Sequence, residues 1–162
     1  MRAELEHAVR GNPWHGKPIT QLLAGTTPEE AHAHPIPGVQ SVWEYVLHIA
    51  SWTREAASRL RGNVPGLPAS GDWPPVPAEP TAAAWTSALA DLEAAHEEFL
   101  AALVAMDPAA LDAPAVPTRD PSHGTGSKFR VLVHGLSQHH AYHGGQIALL
   151  RRAWAAGKTS PR

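Results

Sequence analysis

Eleven of the 162 residues are histidine and none is cysteine, so side-chain metal chemistry here has to run through imidazole and carboxylate. Two of them, His139 and His143, stand four apart in the segment Val131–Trp154, VLVHGLSQHHAYHGGQIALLRRAW. On a helix that spacing sets the two rings one above the other on adjacent turns, close enough to share one ion. The pair lies within a stripe completed by Leu132, Leu136, Ile147, Leu150 and Trp154, which should face a core. In a chain this rich in histidine roughly one such pair is expected by chance, so spacing alone decides little. Burial tells more, because every hidden ring nitrogen needs a partner.

Two further histidines fall in apolar stripes. His48 accompanies Tyr45, Ile49, Trp52, Ala56 and Leu60, and His96 accompanies Trp85, Leu89, Leu92, Phe99, Leu103 and Met106. If the helices carrying them pack together, His48 can meet His139 and His143 across the core. Three neutral imidazoles on one divalent ion leave positions free for water or substrate, and the donor set suits Zn2+ or Ni2+ better than Fe or Mn. The second nitrogen of each ring also has to be held, for which Gln138, Gln146, Glu44 and backbone carbonyls are at hand. His96 is a rival ligand, although a core histidine bonded to a neighbouring carbonyl or Tyr is the plainer reading. His7, His32, His34 and His123 sit in polar or loop contexts and read as surface residues, and His134 stays unassigned.

The elements that would position these side chains are all helical. Glu4–Arg10 is a short first helix ended by Gly11-Asn12-Pro13, and a brief run to Leu23 follows Trp14-His15-Gly16. Thr27-Pro28-Glu29-Glu30 starts another short helix that His34-Pro35-Ile36-Pro37-Gly38 stops. Ser41 with Glu44 forms a capping box for a long helix to about Arg61. That role already accounts for Glu44, although it could instead orient His48. Val64–Pro80 holds six prolines and reads as a linker; within it Trp73 either covers a cavity mouth or plugs one end of the molecule. Thr81 caps a third long helix to about Met106, Asp107-Pro108 opens one more turn, and Ala113–Gly126 leads to a last helix beginning near Ser127. The expected fold is all-α: an antiparallel four-helix bundle with long crossover loops, in one domain spanning 1–162.

Composition removes several function classes. A formal net charge of -2 gives no basic field for nucleic acid or an anionic membrane, and no apolar run is long enough to span a bilayer. The charged N-terminal stretch lacks the apolar block of a signal peptide, so a cytoplasmic location is expected. Without cysteine there are no disulfides, thiolate ligands or cysteine nucleophiles, and any thiol has to come with a substrate. Phosphate-binding glycine motifs and a serine-hydrolase elbow are missing as well.

Two segments resemble the DinB/YfiT-like superfamily, and within it the DinB-family metalloenzymes. Ser41-Val42-Trp43-Glu44-Tyr45-Val46-Leu47-His48-Ile49-Ala50 is similar to the family's S-x-W-E-x-x-x-H-I-A. Gln138-His139-His140-Ala141-Tyr142-His143-Gly144-Gly145-Gln146-Ile147 is similar to its Q-H-x-x-Y-H-x-G-Q-I. The likeness implies a metal triad at His48, His139 and His143, an antiparallel four-helix bundle and frequently a homodimer. His140 departs from the pattern, where similar proteins often carry Asp; the expectation is that it points away from the triad, toward other bonding or a dimer contact.

Function follows as an expectation. An ion on the triad would lower the pKa of a water or of a low-molecular-weight thiol cosubstrate, giving a hydrolase or an S-transferase acting on a small molecule. Superfamily relatives that transfer bacillithiol or mycothiol make the thiol branch credible, and no acid stands out as a general base for hydrolysis. Tyr142 and His15 are the weak candidates for further catalytic groups; Tyr142 otherwise packs in the core or at an interface, and His15 with Trp14 otherwise staples the first helix. Gly144 and Gly145 imply close helix approach, inside the bundle or at a dimer interface. The alternative is a metal-binding, dimeric stress-response or small-molecule-binding protein without turnover.

Overall fold

The computed structural model describes residues 2–115 and 128–159; His123 and most of the connection before the last helix lie outside the described residues. The helices are α1 (Arg2–Arg10), α2 (Ile19–Leu23), α3 (Pro28–His32), α4 (Val42–Leu60), α5 (Ala82–Ala105) and α6 (Phe129–Thr159), with a 3-10 turn at Pro108–Asp112. Among the described residues the one extended pairing is an isolated bridge between Pro114 and Lys128, so the chain is all-α. None of the described helices is long and apolar enough to cross a membrane.

The boundaries follow local chemistry. Ser41 Oγ accepts the Glu44 backbone N–H at 3.2 Å while Glu44 Oε2 accepts the Ser41 N–H at 2.6 Å, closing the capping box of α4. Glu44 also receives His34 Nε2 at 2.9 Å, so its hydrogen-bond partners are Ser41 and His34 and not His48. Burial alone would raise this carboxyl, but the hydrogen bonds from Ser41 and His34 hold it below its ordinary value. Thr27 and Thr81 cap α3 and α5 in the same way, each accepting an N–H three residues on.

α4 packs most heavily on α5 and next on α6, while α1 lies on α6 and touches α5. Two core clusters fix the directions. One joins Trp43 and Val46 of α4 to Trp85 and Leu92 of α5 and to Ile147 and Leu150 of α6. The other joins Ala57 and Leu60 of α4 to Phe99 and Leu100 of α5 and to Val133 and Leu136 of α6. α4 therefore runs antiparallel to α6 but parallel to α5, because the crossover 61–81 returns the chain to its starting end. A wholly antiparallel arrangement does not hold for that pair. Arg54 clasps the parallel helices through two bonds to the Asp91 carboxylate, 2.8 and 2.7 Å, one to the Asp91 carbonyl at 3.1 Å, and a fourth to Glu98 at 3.3 Å.

A polar layer separates the two clusters. Thr53 Oγ1 donates to the Ile49 carbonyl at 2.7 Å, so its oxygen accepts Nε2–H of His140 at 3.1 Å. His140 is 1% exposed, so of the two roles expected of it the structure shows the bond, in the interior, and not a dimer contact. The reason is that α6 is covered on more than one side: Val133, Ser137, His140 and Gly144 are buried along with the main stripe. Gly144 permits this, since a Cβ there would stand 3.3 Å from both Ile19 Cδ1 and Leu22 Cδ1 of α2.

His96 is the core histidine expected, but its neighbour is neither a carbonyl nor a Tyr. Neither ring nitrogen has a hydrogen bond, and the nearest charged atom is Glu6 Oε2 at 3.6 Å from Nε2. Burial pushes the imidazole below its usual 6.5 even though Glu6 favours the charged form. The unfolded chain therefore takes up this proton first as pH falls. The ring's contribution to stability is complete above about 6.5 and is lost as pH drops toward the folded value. Denaturant unfolding at about pH 7.5 and about pH 5 checks this. His96→Leu should show a shallower loss of stability than wild type between the two, and an unchanged loss would remove His96 from the account.

Candidate metal centre

His48 comes from the middle of α4, and His139 and His143 come from successive turns of α6 where the two helices cross. Their Nε2 atoms form a triangle with sides of 3.0, 3.1 and 3.0 Å. Among the described residues this is the one group of three histidine or acidic side chains whose donor atoms converge so closely. Nitrogens each about 2.0–2.1 Å from one Zn2+ stand roughly 2.9–3.4 Å apart, so the triangle has the right size for a shared ion.

The outer nitrogens decide what the triangle contains. His48 Nδ1 lies 2.7 Å from the Asp72 carbonyl, which can only accept, so Nδ1 carries the proton. His143 Nδ1 lies 2.6 Å from Gln146 Oε1 and is a donor for the same reason. In neutral rings both Nε2 atoms are then bare lone pairs 3.1 Å apart, an arrangement that repels until a cation sits between them. A proton on His139 or His143 is a poor candidate. Burial, reinforced by the neighbouring imidazoles, pushes His139 down to about 3. Burial likewise holds His143 below its usual value, although the Gln146 bond works the other way. The donor set, its spacing and the tautomers of His48 and His143 fit a divalent ion. His139 Nδ1 is buried without a partner, so the third ring lacks the hold that the other two have.

The crossover supplies the rest of the site. Gly71, at φ +90°, turns the chain so that Ser51 Oγ donates to its carbonyl at 2.6 Å. The next residue presents its carbonyl to His48 and its carboxylate to Trp52, whose Nε1 donates to Asp72 Oδ1 at 2.7 Å. Trp73 then stacks on His48, centroids 4.0 Å apart and planes 13° from parallel, which settles its place over the site rather than at the end of the helices. Tyr45 lies 5.2 Å from the His143 ring, and burial raises its phenol above the usual value, with Tyr142 and Glu44 adding to the effect. These groups line a cleft of about 550 Å³ that reaches the triangle.

Other expected residues are placed elsewhere. Tyr142 is 66% exposed at the cleft, its ring 5.0 Å from that of His143, so it is not core. His15 and the fully exposed Trp14 line a separate cleft of about 340 Å³ between α1 and α6, with His7 and Gln138. Neither His15 nor Gln138 therefore serves the triangle. His134 is exposed and faces Glu4 at 3.1 Å, while His32 reaches the Pro77 carbonyl at 3.2 Å. Asp72 is the site residue that sequence reading passed over. It stands in a proline-rich stretch with no periodicity to give it a face, and its pairing with Trp73 was the one local hint.

A model of the DinB superfamily matches residues 15–147. The matched span includes α2 through most of α6, and with them His48, Asp72, Trp73, His139, His143 and Gln146. No curated protein and no solved structure matches the chain. With most of its length and every residue of the triangle inside the match, the chain belongs to the DinB superfamily.

Proposed function

We propose that this protein is a metal-dependent enzyme in which His48, His139 and His143 hold one divalent ion, Zn2+ or Ni2+, beside a small-molecule cleft. The observation that carries the reading is the pair of unprotonated Nε2 atoms facing each other at 3.1 Å, each fixed by a bond on the far side of its ring. When bound, the ion supplies Lewis acidity that lowers the pKa of a thiol cosubstrate or of water. The chain's own residues orient and shield. The Asp72 carbonyl and Gln146 aim two lone pairs inward, and Trp73 covers one face of His48. Tyr45, kept protonated, is a donor for a substrate oxygen. The Asp72 carboxylate approaches His48 at Nδ1, 3.4 Å away and on the side remote from the triangle, and already accepts the Trp52 indole. It orients His48 and is poorly set as a general base, which favours the S-transferase branch over the hydrolase. A cleft opening on the triangle also favours catalysis over the competing reading, a metal-binding protein without turnover.

The four longer helices α1, α4, α5 and α6 form the bundle in this proposal, and the protein acts as a homodimer through α6. Val131, Tyr142 and Leu149 are exposed on one face of α6, together with Gly135 and Gly145. A Cβ at Gly145 would meet nothing, so the face is flat enough for a second helix.

Three measurements test these statements. Metal analysis should give about one ion per chain. His143→Ala should lose it, together with any transfer from a cellular thiol to an electrophile; unchanged metal content in the variant would refute the triad. Gln146→Leu, which keeps all three ligands but frees His143 Nδ1, should weaken metal affinity by roughly 10–100-fold in a chelator competition. Sedimentation should report a dimer that Leu149→Glu dissociates, whereas a wild-type monomer would remove the dimer from the proposal.

A further inference from the structure

The walls of the cleft carry more information than its metal ligands. Ring surface comes from Tyr45, Trp52, Trp73 and Tyr142. Trp73 spends one face on His48 and is still 37% exposed. The polar groups beside the rings are neutral carboxamides such as Gln146, and the one acid is Asp72. No Lys or Arg among the described residues lines the cleft. The guanidinium closest to the rings, Arg59 at 5.8 Å from the Trp52 centroid, is already bound to Glu55 at 2.9 Å and to the Gly66 carbonyl at 3.1 Å.

From this we infer that the molecule taken up beside the three histidines is uncharged and built around a flat conjugated ring. Sites that take carboxylates or phosphates meet them with Arg or Lys, since a desolvated anion without a counter-charge is strongly disfavoured. Here the fixed charge of the wall is negative, so an anion finds nothing but the ion itself. A cation is matched by Asp72 yet opposed by that same ion. A neutral ring suits the cleft with or without the metal, stacking on the indoles and bonding to the carboxamides. The cleft volume, about 550 Å³, lies within the range of small-molecule sites. This selectivity deepens the enzyme reading and rests on it for its meaning, because the ring compound would be the partner on which the activated nucleophile acts.

The test uses four probes of one size: benzamide, benzoate, benzamidine and cyclohexanecarboxamide. Binding is followed by the indole N–H signals of Trp52 and Trp73 at concentrations up to about 10 mM, in metal-loaded protein and after chelation, with metal content measured on the same samples. In stripped protein benzamide should bind about tenfold tighter than benzoate and several-fold tighter than the saturated amide. In loaded protein it should also exceed benzamidine. Trp73→Leu should erase the preference for the aromatic ring, and Asp72→Asn should narrow the gap between benzamide and benzoate. Benzoate matching benzamide in the stripped protein overturns the inference. So does equal binding of the saturated amide, or silence of both indoles with every probe. Protein that holds no ion but ranks the probes as expected retires the enzyme reading and leaves this one standing.

Discussion

Three imidazole nitrogens with nowhere to go but toward one another are the constraint on which this structure turns. The bare lone pairs of His48 and His143, 3.1 Å apart, repel, and both rings are prevented from turning away. His48 is held by a backbone carbonyl and by an indole stacked on its face, and His143 by the carboxamide one turn later. Held in that way, the pair creates a demand for positive charge, and burial sets His139 and His143 against taking up a proton to meet it. Such an arrangement could hold a divalent ion.

Holding it there is a task for the whole helical framework. α4 and α6 run in opposite directions, so one turn of α4 faces two turns of α6, and the Thr53–His140 bond fixes their register one turn beyond the triangle. On the far side Gly144 lets α2 press against α6. The parallel course of α5 beside α4 matters just as much. It requires a long return crossover, and that crossover delivers Asp72 and Trp73 to His48. A tight antiparallel hairpin between α4 and α5 would leave His48 Nδ1 open to solvent.

Much of this was legible in the sequence because it is periodic. The i, i+4 histidines, the third histidine in the α4 stripe and the Ser41–Glu44 box all follow from helical spacing, and the family resemblance joined them into one site. What escaped depends on contacts that have no period. Asp72 acts largely through its backbone carbonyl, which any residue possesses, so its identity carried little signal. A single stripe could not decide between the bond and the dimer contact expected of His140, because α6 is buried on more than one side. His15, a weak catalytic candidate by sequence, lines a different cleft with Trp14. The parallel pairing of α4 and α5 was hidden for a similar reason: a proline-rich linker shows that the chain crosses over, not where it returns.

The polar layer between the two apolar clusters carries a cost that explains the rest of the packing. His96, His139, His140 and Ser137 each bury at least one side-chain atom without a partner, and such atoms destabilise a fold by about 1–3 kcal/mol apiece. A protein selected for stability alone would fill that layer with aliphatic side chains. Thr26 Oγ1, beside Trp85, is a further atom of this kind, while the clusters around Trp43 and Phe99 are otherwise almost wholly apolar. Burial is also what holds His139 and His143 toward the neutral form, so the same burial that weakens the fold favours neutral donors there. Stability and ligand readiness are thus set against each other in one layer, and the two cores, with the Arg54 clasp between α4 and α5, are what allow the chain to carry it.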